Sequence, residues 1–162
     1  MRILVTLGAA VGWLALMLAY SPVADALARR VFAGRPNLAA FKGLKQSRLK
    51  LVAGIVVAWV LGGFLEELAL RGIVLQWVDR WLGHLVPRAV ATTLAVLAAA
   101  LVAGLLHLYQ GKRAALVIVQ LSVLFGVLFV LTGRNLWAVV ICHGLYDTVA
   151  FVRYATGRSR YS

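Results

Sequence analysis

Five long apolar runs, separated by short basic stretches, constrain this chain more than any other feature. Each approaches the ~20 residues that an α-helix needs to cross the hydrocarbon core of a bilayer. Backbone polar groups inside that core must be satisfied within the segment itself, and consecutive apolar runs of this length do so as helices. The sequence therefore predicts an all-α, polytopic membrane helix bundle with about five transmembrane helices, at about residues 3–20, 51–77, 89–108, 114–132 and 136–152.

The composition agrees with a membrane protein. The chain is 63% hydrophobic and 14% charged, whereas soluble domains are about 45–50% apolar and about 25% charged. The net charge of +12 would suggest nucleic acid in a soluble protein, but these basic residues lie mostly between apolar runs. We expect the bilayer as the partner, no nucleic acid, and one integral membrane domain over residues 1–162. Cys142 is the single cysteine, which excludes an intramolecular disulfide and a cysteine metal cluster.

The basic residues also predict an orientation, because cytoplasmic loops are rich in Lys and Arg. Alternation of sides places twelve basic residues in the cytoplasm and four outside, with an outside N-terminus and a cytoplasmic C-terminus. A cleavable signal peptide ending near Ala26-Leu27-Ala28 is the alternative for the first run. The residues predicted inside are Arg29, Arg30, Arg35, Lys42, Lys45, Arg48, Lys50, Lys112, Arg113, Arg153, Arg158 and Arg160; those predicted outside are Arg2, Arg80, Arg88 and Arg134.

Ionisable residues inside the predicted spans are the strongest functional signal. Such residues are costly in a bilayer and commonly mark functional sites. Three of the five acidic residues and two of the three histidines lie there: Glu66, Glu67, Asp147, His107 and His143. With a helical rise of ~1.5 Å per residue, we expect all five to meet in one buried pocket in the middle to inner half of the bilayer.

The spacing within each helix assigns pairs. Glu67 and Arg71 are four residues apart, so that carboxylate and guanidinium can neutralise each other. Glu66 is rotated by ~100° from Glu67 around the axis of an α-helix, so it does not take part in this pair. His143 and Asp147 are also four residues apart and project side by side. A free carboxylate in a low-dielectric cavity suits a general base acting on water, particularly beside an imidazole. The predicted chemistry is hydrolysis.

These residues carry a resemblance to a known family. Glu66-Glu67-x-x-x-Arg71, His107 in an LLHL context, and NLWAVVICHGLYD with His143 and Asp147 resemble the three motifs of the CPBP family of intramembrane glutamic endopeptidases. This family is also called the CAAX protease and bacteriocin-processing, or Abi, family. The resemblance runs over about residues 62–149, which we interpret as the catalytic core. It implies a membrane-associated protein or peptide substrate and no cofactor or metal.

The resemblance also implies a role for each motif. Glu66 and His107 would activate the hydrolytic water, and Glu67 with Arg71 would form a structural ion pair. His143 and Asp147 would stabilise the oxyanion, although the family often has Asn at the position of Asp147. The short chain resembles a minimal core of the family, which implies a prokaryotic plasma membrane.

Alternative functions stay open at the level of sequence. Two histidines and two carboxylates could bind zinc with a water in an open position, although the HExxH spacing is lacking. A catalytically silent membrane scaffold or regulator could retain the same residues. A proton-coupled transporter could use the buried acids, but five spans without inverted repeats would be unusual for one.

Overall fold

A computed structural model describes residues 2–158 of the chain, and Arg160 and Ser162 of the predicted cytoplasmic end lie outside the described residues. The described part is all-helical and contains no strand. Five helical stretches are long and apolar enough to cross a membrane, which confirms the predicted fold class. The helices are α1 (Arg2–Val31), α2 (Arg48–Ala58), α3 (Gln76–Leu82), α4 (Arg88–Leu106), α5 (Lys112–Leu131) and α6 (Leu136–Ala155).

The second span is one continuous helical stretch, Arg48–Leu82, with an unusual centre. Between α2 and α3 the backbone forms two π-helical segments, Trp59–Glu66 and Leu68–Leu75. A π-turn contains one more residue than the i→i+4 turn of an α-helix, and such segments are frequent at functional sites.

The first helix is longer than predicted. The sequence indicated a span that ends near residue 20, with Arg29 and Arg30 in a loop, but α1 continues to Val31 and includes both arginines in its last turn. Contacts with α5 stabilise this extension. Asp25 receives two hydrogen bonds from Arg113, at 2.9 and 2.7 Å. Apolarity marks the part of a helix that crosses the membrane and does not mark where the helix ends.

The helices pack through small residues. α1 packs against α5 and α6, α4 packs against α5, and the first π-segment packs against α6. A Cβ atom added at Gly63 would lie 3.4 Å from the backbone of Gly144, so the second span and α6 approach closely at this point. Small residues permit such approaches between membrane helices. The core includes Ala95, Ala99, Leu128, Phe129 and Val139.

A buried carboxylate ties together one end of the bundle. Asp79 in α3 is fully buried and accepts a hydrogen bond of 2.7 Å from Thr92 of α4. Its side chain also pairs with Arg88, at 2.8 Å, and with Arg134 in the turn between α5 and α6. The three elements that meet here lie at the end that the charge pattern predicts to be outside.

Candidate active site

Glu66 and Glu67 lie where the two π-segments meet. Glu66 is the last residue of the first segment, and Glu67 separates it from the second. Glu66 is partly exposed to the cavity described below, whereas Glu67 is fully buried. The two adjacent carboxylates therefore occupy different environments, one accessible and one enclosed by protein.

The buried carboxylate of Glu67 has two partners on two helices. Nη1 of Arg71 lies 3.0 Å from Oε2 and 3.1 Å from Oε1, as the four-residue spacing predicts. Oε1 also lies 2.6 Å from Nδ1 of His143 in α6. Because an ionised carboxylate only accepts hydrogen bonds, Nδ1 of His143 is the donor in this contact. The sequence spacing predicted the arginine contact and not the histidine contact.

Glu66 faces His107, which follows α4 directly. Oε2 of Glu66 lies 4.0 Å from Nε2 of His107, too far for a direct hydrogen bond. The other ring nitrogen of His107, Nδ1, lies 2.8 Å from the carbonyl oxygen of Ala103. A carbonyl is an acceptor, so Nδ1 carries the proton, and Nε2 of the neutral ring has a lone pair directed to Glu66. A single water can bridge a separation of this size.

His143 and Asp147 form the second face of the site. Nε2 of His143 lies 3.6 Å from Oδ2 of Asp147, one helical turn further along α6. A Cβ atom added at Gly62 would lie 3.0 Å from Oδ2 of Asp147 and 3.6 Å from Nε2 of His143. Gly62 therefore leaves room for these two side chains.

A cavity of about 960 Å³ connects these groups with one end of the bundle. Glu66, His107, His143 and Asp147 all contribute to its wall. From them the cavity extends past apolar side chains of α2, α5 and α6 to the segment 36–44, the turn that follows α4, and the end of α6. This end carries many of the basic residues that the charge pattern places in the cytoplasm.

Two residues in α5 that the sequence analysis did not single out contact the same network. Ser122 accepts hydrogen bonds from Arg71, and the ring of Phe125 stacks on the ring of His143 with centroids 4.7 Å apart. Ser122 is one of few polar residues in an apolar helix, which is a weak signal because a serine can bond to its own helix. The position of Phe125 follows from tertiary packing and gives no signal in sequence.

The arrangement of the possible metal ligands is relevant to the alternative of a zinc site. In residues 2–158, no group of three or more His, Cys, Asp or Glu side chains is arranged to hold a metal ion. The two histidines of the site point their accessible nitrogens to two different carboxylates, Glu66 and Asp147.

Comparison with known proteins supports the resemblance of the three motifs to a protease family. The family model described as Type II CAAX prenyl endopeptidase Rce1-like matches residues 48–149, which is more than half of the 162 residues. The match spans all three motifs, from the second helical span through His143 and Asp147. No curated protein and no solved structure matched the chain. The chain belongs to the Rce1-like family of type II CAAX prenyl endopeptidases.

Proposed function

We propose that this integral membrane protein is an intramembrane glutamic endopeptidase that hydrolyses a peptide bond in a membrane-associated protein or peptide. The observation that carries the proposal is the pairing of Glu66 with His107. A carboxylate oxygen and an imidazole lone pair face each other across 4.0 Å and line one cavity. Two acceptors at this distance can hold one water and remove a proton from it.

The proposed reaction has two stages. In the first, the water oxygen attacks the carbonyl carbon of the scissile bond, and the proton that it loses passes to Glu66, with His107 orienting the water. The carbonyl oxygen gains a negative charge. In the second, the C–N bond breaks, and the leaving nitrogen takes the proton from Glu66. The products are a carboxylic acid, which passes its proton to the new amine, and Glu66 returns to its ionised state; the net products are a carboxylate and an ammonium group.

His143 is the proposed donor to the negatively charged oxygen. Nδ1 of His143 donates to Glu67. In the proposal the ring is a protonated imidazolium, which has a second N–H at Nε2. Nε2 faces the cavity side of the site and Asp147. A fixed donor directed at the position where charge develops stabilises the transition state, because it needs no reorganisation during the reaction. Glu67 holds the ring through Nδ1, Arg71 holds Glu67, and Asp147 lies beside the second ring nitrogen.

The proposed mechanism uses no metal. The proposed contact of His107 with the attacking water is supported by its tautomer, in which Nδ1 donates to the carbonyl oxygen of Ala103 and Nε2 is an acceptor. The membrane-associated substrate follows from the family. Access to the site is proposed from the basic end of the bundle, where the cavity extends to the segment 36–44 and the end of α6.

The test is a comparison of membrane proteins by terminal-peptide mass spectrometry. Cells that produce the wild-type protein are compared with cells that produce Glu66→Gln at the same level. A His84→Ala variant is the matched control, because His84 is an exposed histidine remote from the cavity wall. The proposal predicts new termini with wild type and His84→Ala that are lost with Glu66→Gln. Identical termini in all three would refute it.

A further inference from the structure

The hydroxyl group of Ser122 lies at the back of the site, on a helix that carries none of the three motifs. Nη2 of Arg71 donates to Oγ of Ser122 at 2.6 Å and to the carbonyl oxygen of the same residue at 2.7 Å. The other terminal nitrogen, Nη1, contacts Glu67. The guanidinium of Arg71 is therefore held between α5 and the second span, with 1% of its surface exposed.

Phe125 lies one turn after Ser122 and contacts both ends of this network. Its ring is stacked on the ring of His143, with an angle of 25° between the planes. The guanidinium carbon of Arg71 lies 5.6 Å from the centre of the same ring, within the range of a cation–π contact. One face of α5 thus contacts the arginine that binds Glu67 and the histidine that Glu67 binds.

We propose that Ser122 is a positioning residue for the peptidase reaction. The hydroxyl group of Ser122 holds the guanidinium of Arg71, and Arg71 holds the carboxylate of Glu67. That carboxylate orients the ring of His143, whose Nδ1 lies 2.6 Å from Oε1 of Glu67. Phe125 holds the plane of the same ring from the side. This inference rests on the proposed role of His143 as the oxyanion donor. Reacting constellations need positions within ≈ 0.5 Å, which residues outside the site must enforce.

Two variants of equal shape separate a positioning role from packing. Ser122→Thr and Ser122→Val each add one heavy atom to a buried position and have a similar branched shape, but only threonine retains the hydroxyl acceptor. With purified protein in proteoliposomes and the substrate found by mass spectrometry, Ser122→Thr should keep most of the wild-type kcat. Ser122→Val should lower kcat by roughly 10- to 100-fold, since misplacement by about 1 Å can lower rates by about 100-fold, and should leave KM within about twofold.

Other outcomes would overturn the inference. Equal kcat values for Ser122→Thr and Ser122→Val would show that only packing matters, and a rise in KM alone would show direct substrate contact. If neither variant is folded, Ser122→Ala removes the hydroxyl without added bulk, and an unchanged kcat for it contradicts the proposal.

A double variant tests the route through the histidine. If Ser122 acts on the reaction through His143, then Ser122→Val should have no further effect on kcat in a His143→Ala background, because coupled residues are not additive. If Ser122→Val lowers kcat in the His143→Ala background by the same factor as in wild type, Ser122 does not act through His143. Failure of the proposed function is distinguishable: without peptidase activity the wild type gives no new termini, and if Glu66 does not activate the water, Glu66→Gln keeps the wild-type kcat whatever the serine variants do.

Discussion

Nδ1 of His143 lies 2.6 Å from Oε1 of Glu67, and this contact joins the second span to α6 at the centre of the bundle. The same carboxylate binds Arg71 at 3.0 Å and has no exposed surface. The second glutamate of the motif therefore has two functions in the fold. It neutralises a buried arginine, and it orients a histidine that faces the cavity.

The buried pair predicts a difference in stability between the two glutamates. Glu67→Gln leaves the charge of Arg71 without a carboxylate, and removal of one partner of a buried ion pair costs about 3–5 kcal/mol in soluble proteins. We expect a clearly lower unfolding temperature for Glu67→Gln in detergent, followed by tryptophan fluorescence. Glu66→Gln is the matched control and should unfold close to wild type, because Glu66 is partly exposed and lies 4.0 Å from His107 instead of in a buried ion pair. Equal unfolding temperatures for all three proteins would contradict the ion pair.

The two residues of the proposed oxyanion site should respond differently to substitution. His143→Ala removes the proposed donor and should lower kcat by about 10²- to 10³-fold, as single oxyanion donors commonly do. Asp147→Asn removes a negative charge near the developing oxyanion and supplies an amide donor, so it should retain activity. Steady-state kinetics of both variants check this assignment. An inactive Asp147→Asn together with an active His143→Ala would reverse it.

Metal removal gives a third prediction. If Glu66 and His107 activate water without a metal ion, exhaustive treatment with EDTA or phenanthroline should leave kcat unchanged. Elemental analysis of the purified protein should then find zinc far below one ion per chain. Inhibition by the chelator that added zinc reverses would place the enzyme among the metalloproteases and would require a different role for Glu66.

The orientation in the membrane is tested with reporters. The distribution of basic residues predicts that a reporter fused after Ser162 lies in the cytoplasm and that one inserted near Gly83 lies outside. Paired alkaline phosphatase and green fluorescent protein fusions at both positions give opposite signals in each compartment. The reverse pattern would place the open end of the cavity on the outer side and would change the route proposed for the substrate.

The sequence predicted most of the helical architecture, because apolar runs of this length have few alternatives in a bilayer. The predictions from sequence were wrong or incomplete where contacts between helices determine the local structure. α1 extends to Val31, and Asp25 in the added part pairs with Arg113 of α5; this contact between helices cannot be read from the apolar run that ends near residue 20. The π-segments on either side of Glu67 were likewise not predicted: the glycines in them, Gly62, Gly63 and Gly72, disfavour an α-helix but do not specify a π-helix.

The same distinction applies to the candidate site. Pairs within one helix, such as Glu67 with Arg71, follow from four-residue spacing. Contacts between helices do not follow from spacing, so the 2.6 Å contact of Glu67 with His143 and the stacking of Phe125 on His143 required the structure. The contact of Ser122 with Arg71 gives no signal in sequence, because a single serine in an apolar helix can bond to its own backbone.

Activation of water by Glu66 and His107 is the central claim, and the turnover number of purified Glu66→Gln tests it most directly. The substitution removes the base and keeps the shape of the side chain. With the substrate identified by mass spectrometry and protein in proteoliposomes, kcat should fall by at least about 10²-fold, the lower bound for loss of a general base. His107→Ala should show a similar loss, and His84→Ala should match wild type. A Glu66→Gln protein that cleaves at the wild-type rate would contradict the account.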